Sequence, residues 1–255
     1  MAQTGFRPRM VLSSFRSLDS GQILSTLAKL RRRIEERFPD SGLAGVAREL
    51  EGLGEECATE ARSLGAPNWP LRAIASLLLL VGLIAVGSVL LRLWPGTSRF
   101  ASLAEFIQAI DSAVNDAVFL GIAIWFFLTL ERRLKRRTAL RSIHQLRSVA
   151  HIVDMHQLTK DPERLMSPQP DTESSPARQM TSDQLGRYLD YCSEMLSLTS
   201  KLAALYVQRF DDSVVLQAVN EVESLTNGLS RKVWQKITIL EAAASRRETV
   251  TGAGA

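Results

Sequence analysis

An uninterrupted apolar run at residues 73–91 limits what this chain can fold into more than any other feature. It contains no charged residue and no proline, and only two serines and two glycines interrupt its Leu, Ile, Val and Ala residues. At a rise of about 1.5 Å per residue, roughly 20 such residues cross a hydrocarbon layer of about 30 Å. We therefore predict a transmembrane helix over residues 71–94.

A second apolar run, residues 117–130, is shorter. It reaches the length of a membrane span if it begins at residue 113, so we predict a second transmembrane helix over residues 113–130. A buried core helix is the alternative, because runs of this length are ambiguous. Residues 95–112 form a short outer loop, within which Ser102 and Glu105 have the spacing of a capping box and predict a helix that begins near Leu103.

The basic residues decide the orientation, since Lys and Arg accumulate on the cytoplasmic side. Five of them follow the second run within residues 132–137, whereas only Arg92 and Arg99 lie between the two runs. Both termini are therefore expected in the cytoplasm of a bacterial inner (plasma) membrane protein with two spans. The first 20 residues lack a continuous apolar region, so we expect no cleaved signal peptide.

The sequence predicts helices in the segments outside the two apolar runs. After a basic segment at residues 1–19, residues 20–66 carry two amphipathic stripes separated by a Pro-Asp-Ser-Gly turn, which predicts an αα hairpin with Asp40 or Ser41 as the second cap. The second stripe, from Leu43 to Leu64, has nearly heptad spacing, as in a coiled coil. Residues 131–159 contain neither Pro nor Gly and predict a cytoplasmic stalk that continues the second span.

The C-terminal third repeats this organisation. Residues 160–180 hold four prolines among serines and charges, which predicts a flexible linker. Residues 181–247 predict a second αα hairpin, opened by a capping box at Thr181 and Gln184, and residues 248–255 read as a disordered tail.

These elements give an all-α fold class: a two-helix transmembrane hairpin with a cytoplasmic helical bundle built from N-terminal and C-terminal αα hairpins. No segment shows the sustained alternation of a strand. Because two helices alone bury little surface, each hairpin needs the other hairpin, the stalk or a second copy of the chain to pack against.

The basic cluster after the second run is the best candidate for a ligand site. Anionic lipid headgroups and membrane topology explain its position against the membrane, so we expect membrane lipids as partners and no nucleic acid, despite a net charge of +4. The residues assigned to this lipid-headgroup and topology site are Arg132, Arg133, Lys135, Arg136 and Arg137.

The histidines, all in the predicted stalk, raise a weaker hypothesis of a metal or pH-sensing site. The residues concerned are His144, His151, Asp154 and His156. On a helix His156 points roughly 140° away from His151, so one helix cannot surround an ion with all four. The simpler interpretation is a polar seam where the stalk packs on the bundle, and we predict no metal.

Small residues on the first span predict a helix-packing surface formed by Ala75, Gly82 and Ala85. Neither apolar run contains an ionisable residue, which disfavours a proton relay or a transporter. A pore lined by small and aromatic residues stays open as an alternative, but two helices per chain enclose a pore only in an assembly of several copies.

The sequence carries no glycine-rich phosphate loop and no nucleophile elbow, so we expect neither a cofactor nor a catalytic residue. Cys57 and Cys192 lie on apolar helix faces and are predicted to belong to the core. The preferred function is a non-enzymatic, homo-oligomeric scaffold or signalling component whose cytoplasmic bundle binds a protein partner. The alternatives are an oligomeric channel or pore-forming effector gated by that bundle and, less favoured, an enzyme that uses His151 or Asp154.

Overall fold

The computed structural model describes residues 17–93, 103–162, 173 and 180–252, and helices dominate these ranges. The helices are α1 (Ser20–Arg37), α2 (Gly42–Leu64), α3 (Trp69–Leu93), α4 (Leu103–Leu158), α5 (Ser182–Val207) and α6 (Ser213–Gly252). No strand occurs in the described part of the chain, which confirms the predicted all-α class.

The chain divides into two units, which we describe separately. The core unit consists of residues Met1–Gly65 and Thr138–Ala255, and the apolar unit consists of residues Ala66–Arg137. The division falls within α4, so residues 103–137 of this helix belong to the apolar unit and residues 138–158 to the core unit.

The turn between α1 and α2 follows from local chemistry. α1 begins after Asp19, whose carboxylate accepts from the Gly21 N–H at 2.8 Å, and Pro39 follows its end. Asp40 then adopts the left-handed conformation, with φ at 57°, which Asp tolerates better than most residues. Of the two predicted caps for α2, the structure uses Ser41, whose Oγ accepts from the Ala44 N–H at 3.2 Å.

The caps of the C-terminal helices are equally local. The predicted capping box of α5 is confirmed, because Thr181 Oγ1 accepts from the Gln184 N–H at 3.2 Å and Gln184 Oε1 accepts from the Thr181 N–H at 2.9 Å. At the start of α6, Asp212 Oδ1 accepts from the N–H groups of Val214 and Val215.

One hydrophobic core unites the helices of the core unit. α5 packs against α1, α2 and α6, and 13 of its 26 residues are buried, so it is the central helix. Residues 138–158 of α4 contribute Ala139, Ile143, Leu146, Ala150 and Val153 to the same core. The N-terminal and C-terminal αα hairpins therefore share their interior, which relieves the instability of either hairpin alone.

The apolar unit has a different character. Two helical stretches of the chain, within residues Gly42–Ser88 and Ile110–Leu158, are long and apolar enough to cross a membrane. Only 11% of the most apolar window of the first stretch is buried, and 0% of that of the second. Gly82 allows α3 and α4 to approach closely, because a methyl group in its place would lie 2.0 Å from Cδ2 of Leu120.

The prediction of a disordered tail over residues 248–255 is wrong for its first half. α6 continues to Gly252, since the sequence offers no helix-breaking residue between Ala242 and that glycine. Residues 253–255, most of the predicted linker at 160–180 and residues 1–16 of the basic segment lie outside the described residues.

Candidate functional site

A carboxylate at the end of the second apolar run joins two helices of the apolar unit. Glu131 lies on α4 and accepts from the backbone N–H of Asn68 at 3.1 Å, from Nε of Arg72 at 3.2 Å and from Nζ of Lys135 at 2.9 Å. Lys135 also donates to the carbonyl of Ala66 at 2.7 Å. These contacts, which we call the Glu131 cluster, connect the start of α3 to α4.

The donors around Glu131 determine its charge. Burial alone raises the pKa of this carboxyl, but the hydrogen bonds from Lys135, the Asn68 N–H and Arg72 outweigh burial and hold the pKa at about 2. Hydrogen bonds between charged partners are stronger than those between neutral ones. Glu131 is therefore ionised at neutral pH, and together with Arg72 and Lys135 it forms a cluster with one net positive charge.

The predicted basic site lies in the turns of α4 that follow Glu131. Arg132, Arg133 and Arg137 are exposed, whereas Lys135 and Arg136 are half-buried. The guanidinium of Arg133 lies 6.0 Å from the centroid of the Trp125 ring, at the limit of a cation–π contact. Because Lys135 bonds to Glu131, its charge is partly used within the protein, whereas Arg133 and Arg137 present their charge at the surface.

A groove between α3 and α4 adjoins the Glu131 cluster within the apolar unit. Its volume is about 370 Å³. Arg72 and Glu131 line its polar end. The rest is lined by Ser76 and by apolar side chains, among them Ala75, Leu79, Ile124 and Phe127. The groove is therefore amphipathic along its length.

The residues predicted for helix packing lie in two environments. Ala75 is buried and lines the groove, and Gly82 lies against Leu120 of α4. Ala85 is exposed within the apolar unit. Two of the three predicted residues thus lie between α3 and α4, and the third faces away from this contact.

The structure does not bring the histidines together. His144 and His151 are exposed, which contradicts the predicted polar seam at these two positions. The ring of His156 covers Gly42, and Asp154 accepts from Nε2 of Gln157 at 2.6 Å. Among the residues that the structure describes, no group of three or more His, Cys, Asp and Glu side chains could hold a metal ion.

Sequence reasoning missed a polar network inside the core unit. Oγ of Ser142 and the hydroxyl of Tyr206 both donate to Oε2 of Glu60, at 2.5 and 2.9 Å. Ser142 and Tyr206 are buried, and the three residues come from α4, α5 and α2. Burial, the neighbouring Cys57 and the bond to Glu60 raise the pKa of Tyr206, so its hydroxyl stays a donor. The network ties three helices together at one point of the core.

Sequence reasoning also missed a lysine that caps α4. Nζ of Lys236, on α6, donates to the carbonyls of Gln157 at 2.7 Å and Lys160 at 3.2 Å. The last carbonyls of a helix lack intrahelical donors and carry partial negative charge, which an ammonium group satisfies. Burial lowers the pKa of Lys236, although Asp161 and Asp154 act in the opposite direction.

The two cysteines are free and buried, which confirms that they belong to the core. Burial raises the pKa of the Cys57 thiol to about 11 and that of the Cys192 thiol to about 12. Both thiols are therefore protonated at neutral pH, and a protonated thiol is neither a nucleophile nor a metal ligand.

No protein-family model matches the chain, and neither a curated protein nor a solved structure matches it.

Proposed function

We propose that the chain is an integral membrane protein, held in a bacterial inner membrane by α3 and by residues 113–130 of α4, and that its core unit is a non-enzymatic scaffold that binds a protein partner. The observation that carries this proposal is the exposure of apolar side chains around α3. Leu77, Val81 and Leu83 span nearly half of the helix circumference and are all more than half exposed. Soluble proteins rarely expose so continuous an apolar surface, whereas hydrocarbon solvates it.

The charges of the apolar unit support an orientation with both termini in the cytoplasm. The Glu131 cluster and the exposed arginines Arg132, Arg133 and Arg137 lie at the end of the span from which α4 continues toward residue 158. Basic residues in this position favour the cytoplasmic side and attract anionic lipid headgroups. Trp69 is exposed at the start of α3, where an interfacial tryptophan is expected.

The surface of the core unit supports partner binding. Trp234 on α6 is 60% exposed and lines a groove of about 460 Å³ together with residues of α1 and α5. Exposed tryptophans in grooves are typical centres of protein interfaces. Asp190, Glu194 and Lys201 border the same groove, so it offers charged groups around an apolar anchor.

The number of subunits in the assembly tests the proposed scaffold function most directly. We would measure the mass of the full chain in native nanodiscs and the conductance of the same preparation in planar bilayers. A scaffold predicts a small homo-oligomer without conductance, and Trp234→Ala should then reduce capture of its partner from a cytoplasmic extract without changing the mass.

The exposed aromatic residues Phe119, Trp125 and Phe126 on α4 favour a second function, an oligomeric channel gated by the core unit. Such side chains can line or seal a pore when several copies assemble. A ring of four or more subunits that conducts ions would replace the scaffold by the channel. A monomer or dimer leaves too few helices for an aqueous pore.

A further inference from the structure

We propose that the groove between α3 and α4 binds one phospholipid with an anionic headgroup, with its phosphate at Arg72 and an acyl chain along the apolar walls. This inference rests on the proposed insertion of the apolar unit in a membrane. It adds a defined lipid site to that proposal, because a membrane anchor by itself needs only a general lipid environment.

The groove matches an amphiphile in chemistry. Its polar end is formed by Arg72 and Glu131. Its walls are mainly apolar and are formed by Ala75, Ser76, Leu79, Ile124 and Phe127. A charged end next to the basic turns of α4 places the headgroup at the cytoplasmic surface, and the apolar walls then extend toward the hydrocarbon.

The charge of the site selects an anion. Arg72 bonds to Glu131 through Nε, and its side chain is 59% exposed. The guanidinium carries further donors on its two η nitrogens, in a planar arrangement that suits a phosphate. The Glu131 cluster has one net positive charge, and Arg133 and Arg137 add exposed positive charge in the following turns. A headgroup with a net negative charge is therefore favoured over a zwitterionic one.

The volume of the groove limits how much of a lipid molecule it can hold. At about 370 Å³ the groove lies at the low end of the roughly 300–1,000 Å³ typical of small-molecule sites. It holds a headgroup phosphate and part of one chain, and the remainder of the lipid stays in the bilayer. The site is therefore a position at the protein surface that one lipid occupies for longer than its neighbours.

The test is lipid retention by the full chain, measured by native mass spectrometry after release from nanodiscs that contain equal amounts of phosphatidylglycerol and phosphatidylcholine with identical chains. We expect one phosphatidylglycerol to be retained in preference to phosphatidylcholine. Arg72→Gln should lower this preference about fivefold, the effect expected of one basic residue at an anionic surface. Equal retention of the two lipids by the wild-type chain overturns the proposal.

A second variant separates ligand binding from simple structural support. Glu131→Gln removes the carboxylate that competes with the phosphate for Arg72, so it should raise phosphatidylglycerol retention while Arg72→Gln lowers it. If the ion pair between Arg72 and Glu131 served only to hold the two helices together, either variant would break it. Both variants would then retain less phosphatidylglycerol than the wild type. Losses in both variants therefore contradict the site.

A steric pair tests the position of the chain. Ser76 is exposed and lines the groove, so Ser76→Phe should block the groove and reduce retention of both lipids. Ser88→Phe, at an exposed serine of α3 outside the groove, is the matched control and should retain lipid as the wild type does. Equal retention by the two variants overturns the assignment to this groove.

Failure of the lipid site is distinguishable from failure of the membrane proposal. Alkaline carbonate extraction of the same variants reports insertion independently of lipid retention. If the chain resists extraction but shows no phosphatidylglycerol preference, only the lipid site is wrong. If carbonate removes the wild-type chain from membranes, both proposals fail together.

Discussion

The same residue types lie in opposite surroundings in the two units. In α5 of the core unit, Leu189 and Leu202 are 0% exposed, whereas in α3 of the apolar unit Leu83 and Ile84 are 68% and 62% exposed. Both helices form and both are rich in leucine, so helix formation does not explain the difference. The core unit buries its leucines against other helices, whereas the apolar unit leaves them exposed, as the proposed membrane insertion requires.

Polar groups show the same contrast. The core unit buries Ser142 and Tyr206, and both side chains donate to the half-buried carboxylate of Glu60. The apolar unit places its Glu131 cluster at one end, beyond residues 117–130. A hydrogen-bonded network is stable in a protein interior, whereas an ionised group is tolerated at the edge of a bilayer and not at its centre.

The largest effect should come from removing volume in the core unit. Leu27→Ala should lower the free energy of unfolding of this unit by about 2–5 kcal/mol, because Leu27 is fully buried. Alkylation of Cys57 and Cys192 along a urea titration of the full chain reports opening of this unit. The matched control, Leu83→Ala in the apolar unit, should leave the alkylation midpoint unchanged. If Leu27→Ala and Leu83→Ala shifted the alkylation midpoint equally, the contrast between buried and exposed leucines in the two units would be wrong.

A charge introduced in the middle of α3 should have the second-largest effect. Leu83→Arg should disfavour insertion by about 2.5–3.5 kcal/mol if lipid surrounds this position. If water surrounds it, an exposed Leu→Arg change should stay within about 0.5 kcal/mol. The fraction of the chain that resists carbonate extraction separates the two, and unchanged extraction would exclude lipid at this position.

A smaller effect should follow from filling the contact between α3 and α4. Gly82→Ala should destabilise this contact by about 1–3 kcal/mol, because the added methyl group meets Leu120. Gly87→Ala is the control, since nothing lies within 4 Å of a methyl group there. The midpoints of thermal unfolding of the two variants in nanodiscs should be compared. Equal midpoints would show that Gly82 makes no close contact.

The buried network should contribute less again. Tyr206→Phe removes one donor to Glu60 and should cost the core unit about 0.5–1.5 kcal/mol. Tyr191→Phe is the control, because Tyr191 packs through ring contacts with Phe38 and Arg33. Urea titration followed by thiol alkylation compares them, and a larger loss for Tyr191→Phe would argue against the network.

The buried thiols should make the stability of the core unit depend on pH in the alkaline range and not near neutral pH. Burial raises the pKa of Cys57 from 9.0 to about 11, so the folded unit binds this proton more tightly than the unfolded chain. The stabilisation is complete below pH 9 and is lost as the pH rises toward 11. Urea titrations followed by circular dichroism should show this decline, and a Cys57→Ala, Cys192→Ala double variant should show less of it. An identical decline in both chains would assign it to other groups.

Sequence patterns predicted the helices because the signals are local. The stripe Ile23, Leu27, Leu30 and Ile34 predicts a buried face, and the capping boxes and turn residues predict where helices begin. The end of α6 escaped prediction because Glu248 to Thr251 carry neither a helix stop nor a strong apolar pattern.

The candidate site was only half predictable. The basic run after residue 130 is visible in the sequence, but the pairing of Arg72 with Glu131 depends on two helices that are distant in sequence. A signal existed, since opposite charges flank the two apolar runs at ends that an antiparallel hairpin brings together. The Glu60 network had no such signal, because its three members occupy unremarkable positions on three helices and meet only after packing.

The most direct test of the central claim is the sidedness of single cysteines in intact bacterial cells. The native thiols are buried and protonated, so the wild-type chain should label slowly with a membrane-impermeant maleimide. Ser98→Cys, in the predicted outer loop, should label from outside. Ser197→Cys, exposed on α5, should label only after the cells are opened. Labelling of both positions only after lysis, or of Ser197→Cys from outside, would contradict a membrane hairpin with its core unit in the cytoplasm.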